Sequence, residues 1–147
     1  MGKRPRVFVR NFQRVLRIEL AELQKAAEHI LESVLRVRTG GRTQLDRLNE
    51  ISVWLISDRR MARLHQQFLG KPGPTDVLTF QHGEIFISVQ TARQHARRFG
   101  TSLSEELKLY VTHGMLHLHG FDDRQKKDAR RMERLQERIL RAAGGLN

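Results

Sequence analysis

The sequence predicts an α/β (α+β) fold: a small mixed four-stranded sheet packed with helices. Three observations carry this reading. Strand-like and helix-like segments follow one another as β-α-β-α-β-β-α-α-α within 147 residues, a length that suits a single domain over 1–147 and leaves no room for a second core. Two short strand patterns are separated only by Gln81-His82-Gly83, the spacing of a tight hairpin whose glycine supplies positive φ. One helical segment is apolar on most of its faces, as a buried, central helix must be.

Each element has its own signal. Arg6–Phe12 (RVFVRNF) alternates and reads as the first strand. From Glu19 to about Val37, the residues Leu20, Leu23, Ala27, Ile30, Leu31, Val34 and Leu35 recur at helical spacing. RTGGRTQ, with Gly40 and Gly41, is a loop. Ile51–Ser57 is a short apolar strand, after which Ser57 or Asp58 caps a helix with the stripe Met61, Leu64 and Phe68. GKPGPTD (Gly70–Asp76) is a rigid loop; its two prolines remove the backbone donors that a phosphate-binding loop requires. Asp76–Phe80 and Glu84–Ser88 are the hairpin strands, and Gln90–Phe99 is a short basic helix. Ser102-Leu103-Ser104-Glu105 is a capping box that opens the central helix, which runs through Leu107, Tyr110, Val111, Met115 and Leu118 and stops at Gly120. Residues 124–142 form a last amphipathic helix along Ala129, Met132, Leu135 and Ile139.

Composition limits the function classes. No apolar run approaches the ~18 residues that a membrane span requires, and the basic N-terminal segment lacks a signal peptide's apolar core. The expected address is the cytoplasm, with no membrane partner. There is no cysteine, so a metal would sit on His, Asp or Glu. Lys and Arg total 27 against 16 acids, a net +11 that favours polyanionic partners such as RNA. The excess is concentrated in acid-free stretches: residues 1–18 with Lys3, Arg4, Arg6, Arg10, Arg14 and Arg17; then Arg59, Arg60, Arg63 and Lys71; then Arg93, Arg97 and Arg98.

The chemistry concentrates in HGMLHLHGFDD, residues 113–123. His113 and His117 are four apart on a helix, so both imidazoles leave one face about a turn apart and can converge on one Zn²⁺. Gly120 ends the helix and lets the chain return Asp122 or Asp123 towards the same point. Three protein ligands with an open fourth position are the pattern of a catalytic zinc site. Gly114 stands where the zinc-peptidase pattern HExxH places its Glu base, which argues against a peptidase. Glycine inside a helix costs roughly 1 kcal/mol against alanine, so close backbone approach is expected there. His119 points elsewhere and, like the lone His29, His65, His82 and His95, is given no role.

These residues resemble the YbeY-type rRNA maturation factors, metal-dependent single-strand-specific endoribonucleases. The family signature HGxLHLxGYDH is followed from His113 to Asp122 and departs at Asp123. The family's PTDVLSF is similar to Pro74–Phe80, and its GDIxIS to Gly83–Ser88. The resemblance implies a zincin-like arrangement around a central metal-binding helix, with His113, His117 and Asp123 as ligands and the two histidines acting in catalysis through the metal. It implies one Zn²⁺ per chain, with Mn²⁺ or Mg²⁺ as alternatives favoured by the carboxylate. Asp122 is expected to orient the loop or to hydrogen-bond a ligand histidine. An arginine that the family carries before PTDVLSF is replaced by Leu69; Lys71, Arg59 and Arg60 are the candidates for its RNA contacts. The family's longer loop between the third and fourth strands is reduced to Gln81-His82-Gly83. The implied function is cleavage of single-stranded RNA in small-subunit rRNA 3′-end maturation, with the small ribosomal subunit as partner. Two alternatives stand beside it: a non-catalytic RNA- or ribosome-binding factor with a structural metal, and a metzincin-like zinc peptidase.

Overall fold

The structure, a computed structural model, describes residues 4–143, so Lys3 lies outside the described residues. The elements are β1 (Arg6–Asn11), α1 (Leu20–Leu35), α2 (Gln44–Arg47), β2 (Glu50–Ile56), α3 (Asp58–Leu69), β3 (Val77–Phe80), β4 (Glu84–Ser88), α4 (Val89–Phe99), α5 (Leu103–Leu118) and α6 (Lys126–Ala142). The sheet order is β1-β2-β4-β3, with β1, β2 and β4 parallel and β3 antiparallel to β4. This is the expected mixed four-stranded sheet. The hairpin turn places Gly83 at φ 106°, where a Cβ would sit 2.8 Å from the Glu50 carbonyl oxygen, so only glycine fits.

Alternation along the strands divides the sheet into two unlike faces. Val7, Val9, Ile51, Val53, Leu55, Ile85 and Ile87 are buried on one face, in the main core with residues of α1, α5 and α6. The opposite face carries two rows set by the register, Phe8-Ser52-Glu84-Phe80 and Arg10-Trp54-Phe86-Leu78. Helix α3 packs on it, in a small cluster of Ile56, Met61 and Leu78 supported by Trp54, Leu64, Phe80 and Phe86. Ser57 caps α3, accepting from the Arg60 N–H, and Asp58 accepts from Ser88 and Thr91 at the start of α4. Phe68, in the last turn of α3, extends the expected stripe onto the sheet, its ring edge-on to Phe80 of β3 while it stays half-exposed.

The edge of β1 is closed by a side chain of α1. Gln24 Oε1 accepts from the Val9 N–H at 2.7 Å and its Nε2 donates to the Val7 carbonyl at 2.8 Å, filling a donor and an acceptor that an edge strand otherwise exposes. The four-residue α2 is an element that periodicity does not resolve. Thr43 and Asp46 form its capping box, a short-range signal that stands in the sequence.

Helix α5 begins at the expected capping box, Ser102 with Glu105, and ends with Gly120 at φ 93°. Gly114 faces β4: a Cβ there would lie 2.9 Å from both Cδ1 and Cγ2 of Ile85, which is fully buried. The missing side chain is what lets the helix seat this closely. Gly114→Ala is expected to lose about 1–2 kcal/mol, overpacking outweighing the gain in helix propensity. Urea denaturation should show this loss, and Ile85→Val in the same chain should recover part of it.

Candidate metal centre

Helical spacing brings His113 and His117 to one face of α5, and the turn at Gly120 returns Asp123 to them. The two Nε2 atoms are 2.9 Å apart. Asp123 Oδ2 is 3.7 Å from His113 Nε2 and Oδ1 is 4.0 Å from His117 Nε2. Donors at ~2.0–2.1 Å from a tetrahedral zinc lie about 3.3–3.4 Å from one another, so the observed spacings bracket those of a ligand set. The histidine side chains are 24% and 26% exposed and Asp123 48%, enough for a substrate to reach the same point. Among the described residues, these three are the group that could hold a metal ion.

The protonation pattern fits such an ion. Gln136 on α6 has its Oε1 2.7 Å from His113 Nδ1, so that nitrogen carries the proton and donates. Nε2 of His113 then turns a lone pair towards His117. Burial pushes the His117 imidazole below its usual range and the charge of His113 adds to this; Asp123, the Phe121 backbone and Asp122 pull it up. The net shift is downward and favours the neutral imidazole, the form that binds metal. Two nitrogens converging at this distance beside a carboxylate suit a cation between them.

Gln136 went unremarked in the sequence, although a signal was present. It lies four residues after Met132 and three before Ile139, so a polar side chain interrupts the core-facing stripe of α6. His119 is the second omission. It is 2% exposed, with Nε2 3.0 Å from the Val37 carbonyl, to which it donates, and Nδ1 2.9 Å from the Thr43 hydroxyl. It points away from the metal ligands, as expected, yet it pins the end of α5 to the α1–α2 connection. Asp122 accepts from the Arg124 N–H at 3.3 Å, a turn that holds the loop around Asp123.

Two cavities on either side of the turn at Gly120 differ in charge. A cavity of about 450 Å³ runs between α5 and α6, lined by His113, Asp123 and Gln136 together with Glu105, Glu106, Glu133 and Glu137. A second, of about 540 Å³, is lined by Arg38, Arg42 and Arg131 with Asp122 and Asp128, and by none of the three candidate ligands. Further along the ligand stripe lies Tyr110, hydrogen-bonded to His95; burial, then the charges of Asp76 and Glu106, push its phenol up so that it stays protonated. Arg59, Arg60 and Lys71 are exposed, but the structure does not bring Arg60 to the triad: it lies over Phe12, on the side of the sheet that α3 occupies. Leu69 is the last residue of α3 and half-exposed. The peptidase pattern fails on geometry as well as composition, because position 114 points into Ile85.

A family profile described as endoribonuclease YbeY matches residues 8–144. The chain belongs to the YbeY family. Among curated relatives, the endoribonuclease YbeY of Anaeromyxobacter sp. (strain Fw109-5) is 39% identical over 65% of this chain, an alignment that spans only 55% of that protein. The endoribonuclease YbeY of Thermobifida fusca is 35% identical over 80% of this chain and 81% of its own length. The solution structure of TM1509 from Thermotoga maritima superposes with a TM-score of 0.67 at 27% identity, covering 95% of this chain and 89% of the other. Among the described residues no helix is long and apolar enough to cross a membrane.

Two pairs of variants test the assembly of the candidate centre. Gln136→Ala should stay folded and lose about 10–100-fold in metal affinity, as removal of a partner behind a ligand histidine does. Competition with a chromophoric chelator reads this, and Gln136→Glu, which can still accept, should restore most of it. Asp123→Ala should likewise lose metal while Asp123→His keeps it. Equal metal content in wild type and Asp123→Ala would remove Asp123 from the set and point to Asp122.

Proposed function

We propose that the chain is a metal-dependent, single-strand-specific endoribonuclease acting in rRNA maturation in the cytoplasm, on small-subunit RNA near its 3′ end. The observation that carries this is the convergence of His113, His117 and Asp123, with His113 fixed by Gln136, in a chain of a family whose curated members are named as endoribonucleases. Zn²⁺ suits two imidazoles and a carboxylate with room for a further ligand, and the carboxylate also admits Mn²⁺ or Mg²⁺.

Held by these three side chains, a divalent cation supplies Lewis acidity towards a phosphoryl oxygen and the attacking oxygen. The rest is done by the protein. Gln136 keeps His113 in the tautomer that leaves Nε2 free, and Asp123 offsets one positive charge at the centre. Glu105, Glu106, Glu133 and Glu137 repel a phosphate backbone from the α5–α6 side, whereas Arg38, Arg42 and Arg131 attract it to the side that adjoins Asp122. RNA is therefore read as entering along the arginine wall. With Leu69 in place of a cation, these arginines and the exposed Lys71 supply the backbone contacts, whereas Arg60 lies on the other side of the sheet.

The decisive experiment is cleavage of a 3′-extended small-subunit rRNA fragment by wild type and by His117→Ala, purified side by side, with circular dichroism on both. Activity should fall by at least the ~10–100-fold that loss of a supporting partner causes, in a folded variant, and should vanish with chelator. A 5′-phosphate on the downstream fragment would identify water as the nucleophile; a 2′,3′-cyclic phosphate upstream would identify the ribose hydroxyl. Unfolding of His117→Ala would instead mark the metal as structural and the chain as an RNA-binding factor. Equal cleavage by the two preparations would sink the ribonuclease reading.

A further inference from the structure

The face of the sheet opposite α5 is built unlike a solvated surface. Arg10 lies with its guanidinium 5.4 Å from the ring centroids of both Phe8 and Trp54. It is held there by the Glu50 carboxylate at 2.9 Å and by Ser52 Oγ at 3.3 Å from its Nε. Trp54 is nearly parallel to Phe86, at 13° and 6.2 Å, and Phe12 meets Trp54 edge-on at 5.3 Å. Arg60, from α3, lies 5.2 Å over Phe12, which is 53% exposed. Planar cations and aromatic rings thus alternate across β1 and β2, beside the cluster that α3 forms with Trp54 and Phe86.

We propose that this face is a second RNA-binding surface, on which a base of a single strand stacks against the exposed Phe12, next to Trp54, while phosphates meet the surrounding arginines. It deepens the ribonuclease reading and rests on it for the choice of RNA. The occupant follows from the charges. Arg6, Arg59 and Arg60 are exposed around the face. Its two acids are already engaged, Glu50 by Arg10 and Glu84 by the Trp54 indole N–H and His82. A folded partner docking here would have to desolvate guanidinium groups without supplying their counter-charge. A single strand supplies base faces to the rings and phosphates to the arginines. The metal centre lies on the other side of the sheet, so this surface holds RNA that is not being cut.

Trp54 is the sole tryptophan, so its fluorescence reports on the surface directly. The full chain carrying His117→Ala, which removes a metal ligand, is titrated with an oligouridylate of about ten nucleotides and with an RNA duplex of equal charge. Saturable quenching by the single strand is expected, stronger than by the duplex. Phe12→Ala with Arg60→Gln, both at exposed side chains, should weaken binding on the order of tenfold. The proposal is overturned if Trp54 is not quenched, if duplex quenches equally, or if the double variant binds as tightly as its parent. It is overturned too if sedimentation shows a self-association that the double variant abolishes, because the face would then join two copies. Quenching without cleavage by wild type would defeat the ribonuclease reading and leave this surface standing; cleavage without quenching would do the reverse.

Discussion

The contact between Gly114 and Ile85 is the constraint on which the rest of the molecule depends. A helix meeting a sheet is ordinarily held off by its own side chains. Here a helix that is apolar almost all round loses one Cβ where it meets β4, and so drops against the strand. That seating fixes the rotation of α5. Rotation in turn decides that Met115, Leu116 and Leu118 face the core, while His113 looks into the groove towards α6 with His117 one turn away on the same face. The glycine that denies the chain a peptidase base is therefore the same glycine that sets the candidate ligands in place.

The centre is assembled from one helix, one turn and one distant amide. His113 and His117 are positioned by helical period alone and Asp123 by the reversal at Gly120, but neither device fixes an imidazole's tautomer. Gln136 does so from α6, which ties the chemistry of the site to the docking of the last helix. His119 does comparable work on the other side, bonding to Val37 and Thr43 and so fixing where the turn begins. The side chains that line the centre are thus few, and those that hold it steady come from three separate parts of the chain.

Much of this was legible in sequence because it is local. The capping box at Ser102, the i,i+4 histidines, the glycine stop and the three-residue hairpin each lie within a few residues, and the structure shows each where its pattern placed it. What escaped was either short or non-local. Helix α2 is only four residues long, below the window in which periodicity shows, although Thr43 and Asp46 marked its cap. The roles of Gln136 and His119 depend on residues 23 and 82 positions away, and nothing adjacent in sequence announces a buried hydrogen bond. Phe68 meets Phe80 yet stays half-exposed, because a helical stripe says which side is apolar but not how completely its end is covered. The alternation of the first strand puts Val7 and Val9 inside and leaves the larger rings of Phe8 and Phe12 on the other side.

Gln24 has one further consequence. A sheet can grow by adding a strand wherever an edge offers a free ladder of donors and acceptors, and this is how β proteins polymerise. At β1 part of that ladder is occupied by a single amide, so an incoming strand would first have to break two short hydrogen bonds. The other edge is β3, only four residues long. The sheet is thus terminated at one side by chemistry and at the other by length. Such an economy suits a strongly basic protein, whose charge keeps copies of itself apart only until a polyanion gathers them together.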